Sequence, residues 1–368
     1  MLKIHLVAAA RPNFMKIAPI FHRMRRTDWI CPLLIHTGQH YDANMSETFF
    51  SDFGLPPADR DLGIGSGTHA EQTAAVMVAY EKLLMADPPD LVIVVGDVNS
   101  TMACTIAAKK LGMRVAHLEA GLRSFDRTMP EEINRILTDA IADILWTPSQ
   151  DADENLRHEG VAEERISRVG NIMMDAYEIL RSKIEASSIR EQLGLKAKSY
   201  GVVTLHRPSN VDNAATLAGL VEALSGIARE MPLVFPLHPR TKRNLAAFHL
   251  LEPLSAALNV QLREPLSYIP FMALVRESAL VITDSGGIQE ETTYLGIPCI
   301  TLRDSTERPI TIAQGTNRLA DAGCLASLVQ DAIHRGGTPA VRPPLWDGQT
   351  AGRVIADIER RLAHSPPT

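Results

Sequence analysis

Short apolar runs rich in β-branched residues recur along the first half of the chain, at 4–9, 33–37, 91–95, 115–118 and 144–147, each followed by a stretch with helical periodicity. Runs of this length bounded by turn residues predict buried strands, and their alternation with helical stretches predicts βα units and a parallel sheet in an α/β fold. A charged, strongly helical stretch from 175 to about 198 interrupts the series, which resumes at 201–205, 233–237, 260–263, 279–283 and 299–302. Two sheets of the same kind are therefore expected, 1–170 forming one domain and 171–349 the other. The Pro- and Gly-rich segment 336–349 reads as a surface connection. A final helix, 350–363, then carries Ile355, Ile358 and Leu362 on one face.

The 368 residues are enough for two such domains, each with its own core. The formal charge of −6 arises without any Lys/Arg-rich run, which argues against nucleic acid as a partner. An anionic ligand then has to be met by a few placed cations and by backbone amides. Cys31, Cys104, Cys299 and Cys324 are scattered singly, as expected of reduced thiols in the cytoplasm. The apolar opening 2–10 lacks a charged leader and a cleavage site, and no window approaches the ~18 apolar residues of a membrane span. A cytoplasmic protein with no membrane partner is expected.

Ligands of open α/β sheets bind beyond the carboxyl ends of the strands, so the residues following each run carry the candidate chemistry. After the first run comes Arg11-Pro12-Asn13-Phe14-Met15-Lys16; Pro12 suits a first helical turn, and Arg11 either forks onto a phosphate or is an exposed surface arginine. The run 91–95 leads into Gly96-Asp97, a carboxylate at a strand tip that reads equally well as a helix cap. Next come His117 and Glu119, which strand alternation places on one side. His-x-Glu can begin a metal site, but no third ligand of suitable spacing follows, and no metal is expected. Pro130-Glu131-Glu132 opens a helix whose dipole favours both acids. Glu131 gains interest because Asp97 and Glu119 are expected in the same crevice.

In the second half, His206-Arg207 and His238-Pro239-Arg240 end successive strands, and two histidines at equivalent tips favour function over packing. The most specific segment is Asp284-Ser285-Gly286-Gly287-Ile288-Gln289-Glu290-Glu291. Two glycines at a helix start expose N–H groups and let a diphosphate approach, and Ser285 adds a hydroxyl. Glu291, about 9 Å further along the helix, is spaced to reach ribose hydroxyls. The competing reading is a Gly-containing turn before an acidic helix. Arg303 to Pro309 adds cations at another strand end.

Taken in order, Arg11 to Lys16, Gly96-Asp97, His117-x-Glu119-Ala-Gly-Leu-Arg123, Pro130-Glu-Glu-x-Asn-Arg135, Asp284 to Glu291 and Arg303-Asp-x-Thr-Glu-Arg-Pro309 closely resemble the non-hydrolysing UDP-N-acetylglucosamine 2-epimerase family, from about residue 3 to 318. The resemblance implies the glycosyltransferase-B fold class: two Rossmann-like domains with parallel sheets facing a cleft, and the C-terminal helix, about 350–368, returning to the first domain. It implies a homodimer acting on a UDP-sugar without metal or nicotinamide. By position, UDP-binding residues fall on Arg11, Ser285, Gly286, Gly287, Glu291 and Arg308, with Phe271 beside the uracil; Lys16 and His238 join the substrate site. Catalytic residues fall on Asp97, Glu119, Glu131 and His206. Two departures stand out. Ala9-Ala10 replace the usual Gly-Thr before Arg-Pro, and 63–69 lacks the Gln and Arg that accompany an activator loop, although Gln39-His40 is present.

The implied reaction interconverts UDP-N-acetylglucosamine and UDP-N-acetylmannosamine by eliminating UDP to 2-acetamidoglucal and adding it back. Such chemistry needs stabilisation of departing UDP and at least two proton-transfer groups, neighbouring acids pushing each other's pKa values apart. Alternatives are a related UDP-2,3-diacetamido-uronic acid substrate, a hydrolysing epimerase, a glycosyltransferase of the same architecture, and a non-catalytic UDP-sugar sensor.

Overall fold

The computed structural model of the chain describes residues 1–9, 11–38, 51–334 and 341–362, without the side chain of Arg11. It resolves into two compact units, Met1–Leu180 with Pro344–Thr368, and Arg181–Pro343.

The first unit is built on seven parallel strands: β1 (Leu2–Ala8), β2 (Ile30–His36), β3 (Arg60–Asp61), β4 (Leu91–Val95), β5 (Val115–Leu118), β6 (Ile144–Thr147) and β7 (Ile166–Arg168). Their order is β3-β2-β1-β4-β5-β6-β7. Every residue of β4, β5 and β6 is buried, which is why these strands read as unbroken apolar runs rather than as alternation. The second unit has six: β8 (Gly201–Thr204), β9 (Leu233–Pro236), β10 (Val260–Arg263), β11 (Leu280–Thr283), β12 (Cys299–Leu302) and β13 (Asn317–Ala320). Their order is β10-β9-β8-β11-β12-β13, again parallel. Both units are doubly wound Rossmann-like sheets, the pair that the glycosyltransferase-B class requires.

Three strands escape the hydrophobic pattern. β3, β7 and β13 lie at sheet edges and are short and polar, so no apolar run marks them. The stretch 175–198, expected as one helix, is two, Ile172–Glu185 and Ile189–Gln192. The break falls at Ala186-Ser187-Ser188; serines form competing local hydrogen bonds, and Ser188 becomes the cap of the second helix.

The helix Thr350–Leu362 packs within the first unit, against the helix Arg11–Met24. Its first turn is capped by Asp175, which accepts the Thr350 and Ala351 N–H groups at 3.0 and 2.8 Å. Further along, Asp357 accepts the Trp146 indole N–H at 2.8 Å, beneath a face that buries Ile355, Ile358 and Leu362. No helix among the described residues is long and apolar enough to cross a membrane.

Candidate functional site

In both sheets the chain winds outward from one strand and then restarts beside it in the other direction. The crossover loops therefore diverge between β1 and β4 in the first unit, and between β8 and β11 in the second. The carboxyl ends of those strand pairs are where a doubly wound sheet opens to a ligand. The candidate residues fall there.

In the first unit, β4 is followed by Gly96, whose φ of +68° only glycine adopts freely. A side chain on it would meet Lys16 Nζ at 3.3 Å, Asn13 Nδ2 at 3.5 Å and Glu119 Oε2 at 3.5 Å, so the residue's bareness lets three polar side chains converge. Asn13 donates to the Val95 carbonyl at 3.0 Å, tying the helix that Arg11 opens to the tip of β4. Lys16 forms an ion pair with Glu119 Oε2, while Glu119 Oε1 is buried and has no hydrogen-bond partner among the described residues. Glu119 itself adopts a φ of +70°. A left-handed glutamate costs on the order of 1–3 kcal/mol and persists where its surroundings enforce it, commonly at functional sites.

Asp97 does not cap a helix: Val98 occupies the cap of Asn99–Lys110, and the Asp97 carboxylate pairs with Arg135 instead. The Asp97 carbonyl accepts Asn134 Nδ2 at 2.9 Å. Arg135 also binds Glu132 at 2.8 Å. Glu132 in turn accepts the Ser124 and Phe125 N–H groups at 3.0 and 2.9 Å, pinning the loop after β5. Burial opposes its charge, yet these amides and Arg135 hold its carboxyl below the usual range. Glu131 is exposed in the first turn of Pro130–Ile141, one turn before Arg135 on the same face. Asp97 and Glu119 each have their own cation, which answers the mutual repulsion expected of neighbouring acids.

His117 belongs to a buried framework. Its Nδ1 lies 2.6 Å from Asp139, and its Nε2 2.8 Å from the Gly96 carbonyl. Asp139 also receives Arg123 at 2.8 Å and the Gly121 N–H at 3.0 Å. Both ring nitrogens are thus engaged in orienting the Gly96 turn. Among the described residues no cluster of three His, Cys, Asp or Glu could hold a metal.

In the second unit, Asp284 is fully buried at the tip of β11. It receives the N–H groups of His206 and Arg207, both at 2.9 Å, and Asn210 Nδ2 at 3.1 Å. His206 Nδ1 lies 2.7 Å away. Burial works against ionisation of Asp284, but these donors outweigh it and hold the carboxyl below its usual range. The His238 ring stands 5.6 Å from that of His206. Its Nδ1 accepts the Arg240 N–H at 3.2 Å, and burial followed by the proximity of His206 lowers its pKa.

Ser285 caps the helix Gly286–Leu295 by backbone only, leaving its hydroxyl out of the cap. The two glycines differ. A side chain on Gly286 would meet Arg308 Nη1 and Glu307 Oε1, each at 2.7 Å, whereas among the described residues nothing lies within 4 Å of that position on Gly287. Only Gly287 faces open space. Gly286 is bare so that Arg308 can lie against the helix start, where it pairs with Glu307 and, at 3.0 Å, with Glu290. Glu291 is buried, with the Tyr268 hydroxyl donating to it at 2.7 Å. Burial pushes its pKa up to about 7, Tyr268 opposing and Glu290 adding to the rise. Phe271 is half-buried on the helix Tyr268–Glu277, three residues from Tyr268 and on the same face.

Arg11 opens its helix at the mouth of β1, and its side chain lies outside the described residues, as do Gln39 and His40. Sequence reasoning missed the functions of Asn13, Asp284, Glu290 and Tyr268. Asp284 was open to inference: in the Rossmann order β8 and β11 are neighbours, so a carboxylate ending one falls beside a histidine ending the other. Tyr268 carries no comparable signal.

Comparison with known proteins adds a consistent set of likenesses. The family model described as UDP-N-acetylglucosamine 2-epimerase matches residues 22–359. The UDP-N-acetylglucosamine 2-epimerase of Methanocaldococcus jannaschii is 42% identical over 325 residues, covering 86% of this chain and 88% of the relative. The UDP-2,3-diacetamido-2,3-dideoxy-D-glucuronate 2-epimerase of Pseudomonas aeruginosa is 40% identical over 365 residues, covering 98% and 100%. The crystal structure of the M. jannaschii enzyme in complex with UDP-GlcNAc and UDP superposes with a TM-score of 0.88 at 39% identity, over 98% of this chain and 100% of that one.

Proposed function

The chain belongs to the UDP-N-acetylglucosamine 2-epimerase family, and from that premise we propose that it reversibly inverts C2 of UDP-N-acetylglucosamine to give UDP-N-acetylmannosamine. The observation that carries the reading is Glu119: a buried carboxylate on left-handed backbone, one oxygen held by Lys16 and the other without a partner among the described residues. A fixed, desolvated, half-open carboxylate is suited to moving a proton at carbon.

The proton at C2 is not acidic, because C2 bears the amide nitrogen rather than neighbouring a carbonyl. Expelling UDP solves this. As the C2 proton passes to a carboxylate, the C1–O bond breaks with its electron pair going to the UDP oxygen, and a C1=C2 double bond forms. Protonation of C2 from the other face and return of UDP to C1 complete the inversion. Asp97, Glu119 and Glu131 serve the two faces of C2, while Arg11, Arg308, His206 and the Ser285–Gly287 amides hold UDP, with Phe271 beside its base and Glu291 at its ribose. The first unit carries the proton chemistry and the second the nucleotide. The working form is a homodimer in the cytoplasm, feeding polysaccharide synthesis and requiring neither metal nor nicotinamide.

Incubation with UDP-N-acetylglucosamine in D2O, followed by NMR, tests the reading. Deuterium at C2 and a mannosamine-configured UDP-sugar are expected; absence of both sinks it, and free N-acetylmannosamine with UDP marks a hydrolysing enzyme instead. A second substrate is favoured by the near-complete coverage of the P. aeruginosa relative. Turnover of the UDP-2,3-diacetamido-uronic acid in preference to UDP-N-acetylglucosamine would assign it.

A further inference from the structure

His206 and His238 stand side by side at neighbouring strand tips, yet their rings are fixed in opposite senses. A buried, ionised carboxylate can only accept, so Asp284 obliges His206 Nδ1, 2.7 Å away, to carry hydrogen. The atom left to change is His206 Nε2, which has no hydrogen-bond partner among the described residues. In His238 the relation is reversed: Nδ1 accepts the Arg240 N–H, so the hydrogen resides on Nε2, and protonating Nδ1 would break the helix cap. His206 alone of the pair can gain or lose charge without disturbing the backbone.

We propose that Asp284 is a positioning residue that locks His206 with Nδ1 protonated and supplies the counter-charge for a second hydrogen on Nε2, so that the charged ring donates through Nε2 to the UDP oxygen released when the C1–O bond breaks. This rests on the epimerase reading. The protonated ring donates through Nε2, with Asp284 beneath it to balance its charge and the His238 ring 5.6 Å alongside, while the Arg240 guanidinium is paired with Asp212. The proton from C2 goes elsewhere, to a carboxylate of the first unit. Asp284 also receives the His206 and Arg207 N–H groups, so the residue that orients the ring orients the turn bearing it.

The test uses the full-length protein labelled with 15N in its histidine rings and saturated with UDP. Long-range 1H–15N correlation is expected to show hydrogen on both ring nitrogens of His206, and on Nε2 but not Nδ1 of His238. A bare His206 Nδ1 overturns the proposal whether or not the protein turns over any sugar, so its failure is distinguishable from that of the epimerase reading. In Asp284→Asn the carboxamide NH2 faces Nδ1, which then stays bare, so the ring is confined to the neutral Nε2–H form and donates without its charge. The expected result is a kcat lowered roughly a hundredfold with KM little changed. In a His206→Ala background the same substitution is expected to cost nothing further, because the carboxamide oxygen still accepts the His206 and Arg207 N–H groups and only the contact with the ring is changed. Losses that multiply, accompanied by a lowered melting temperature, assign Asp284 to structure alone.

Discussion

Adjacent glycines at the start of Gly286–Leu295 offer a discriminating experiment, because alanine at each tests a different claim. At Gly286 the added methyl would lie 2.7 Å from Arg308 Nη1 and from Glu307 Oε1, about 0.7 Å inside the 3.4 Å at which ordinary contact begins. Both neighbours are flexible at their ends, but they are paired with each other, and Arg308 is held again by Glu290 and Glu307 by Arg303. The cluster has to shift as a unit. Overpacking of this kind costs about 1–3 kcal/mol. For a unit of this size that lowers the melting temperature by about 2–4 °C per kcal/mol.

At Gly287 the methyl meets nothing within 4 Å, so Gly287→Ala is expected to melt at or slightly above the parent temperature, gaining up to ~0.5 kcal/mol from reduced backbone freedom. If the diphosphate lies on this helix start, that same methyl intrudes on it, and UDP affinity falls at least tenfold by titration calorimetry. The expected pattern is therefore crossed: Gly286→Ala loses stability and UDP affinity, Gly287→Ala loses affinity alone. Full UDP affinity in Gly287→Ala refutes the phosphate grip, and equal destabilisation by both substitutions refutes the packing argument.

Lys16→Met leaves Glu119 as a buried carboxylate without its cation, which is expected to lower stability by about 3–5 kcal/mol and to abolish turnover; retained activity in the deuterium assay counts against the Lys16–Glu119 pair. Glu291→Gln tests the pKa raised from 4.5 to about 7. Between those values the folded state binds a proton that the unfolded state has released, so the wild type loses stability as pH rises and the variant does not. The variant's advantage is expected to grow from about pH 4.5 to about 7 and then level near 3 kcal/mol, read by denaturant melts without UDP. Asp357→Ala removes the acceptor of the Trp146 indole and is expected to cost about 2–3 kcal/mol while leaving UDP affinity intact, checked by melting and calorimetry.

Much of the fold is written in local pattern, because buried parallel strands have to be apolar throughout. β4, β5, β6 and β12 match their apolar runs to the residue, and so does the half-buried edge strand β10. What failed was what pattern does not encode: edge strands such as Arg60–Asp61, held by one neighbour and free to be polar, and the serine break before Ile189. The same division holds at the site. Strand-tip position singled out Asp97, Glu119, His206 and Ser285 as candidates, since ligands of a doubly wound sheet bind beyond the carboxyl ends of its strands. Side-chain partners were not legible, because they join segments far apart in sequence: Asp97 with Arg135, Lys16 with Glu119, Tyr268 with Glu291. The left-handed backbone at Glu119 is equally invisible, since glutamate gives no hint of it.

The two units meet one electrostatic problem in opposite ways. At the first switch point the charge is the protein's own, on Asp97 and Glu119, and Lys16 and Arg135 restrain these acids while one oxygen of Glu119 has no partner among the described residues. At the second, under the proposed function, the ligand supplies the negative charge, yet Arg303 is already balanced by Glu307, and Arg308 by Glu307 and Glu290. A diphosphate on Gly286–Leu295 therefore gains less from net positive charge than from oriented N–H groups and a donor such as His206. Dipoles of that kind stabilise charge in place without requiring the basic surface that a chain of net charge −6 lacks. They also suit a leaving group that has to be stabilised when the bond to the sugar breaks and still be free to return to C1.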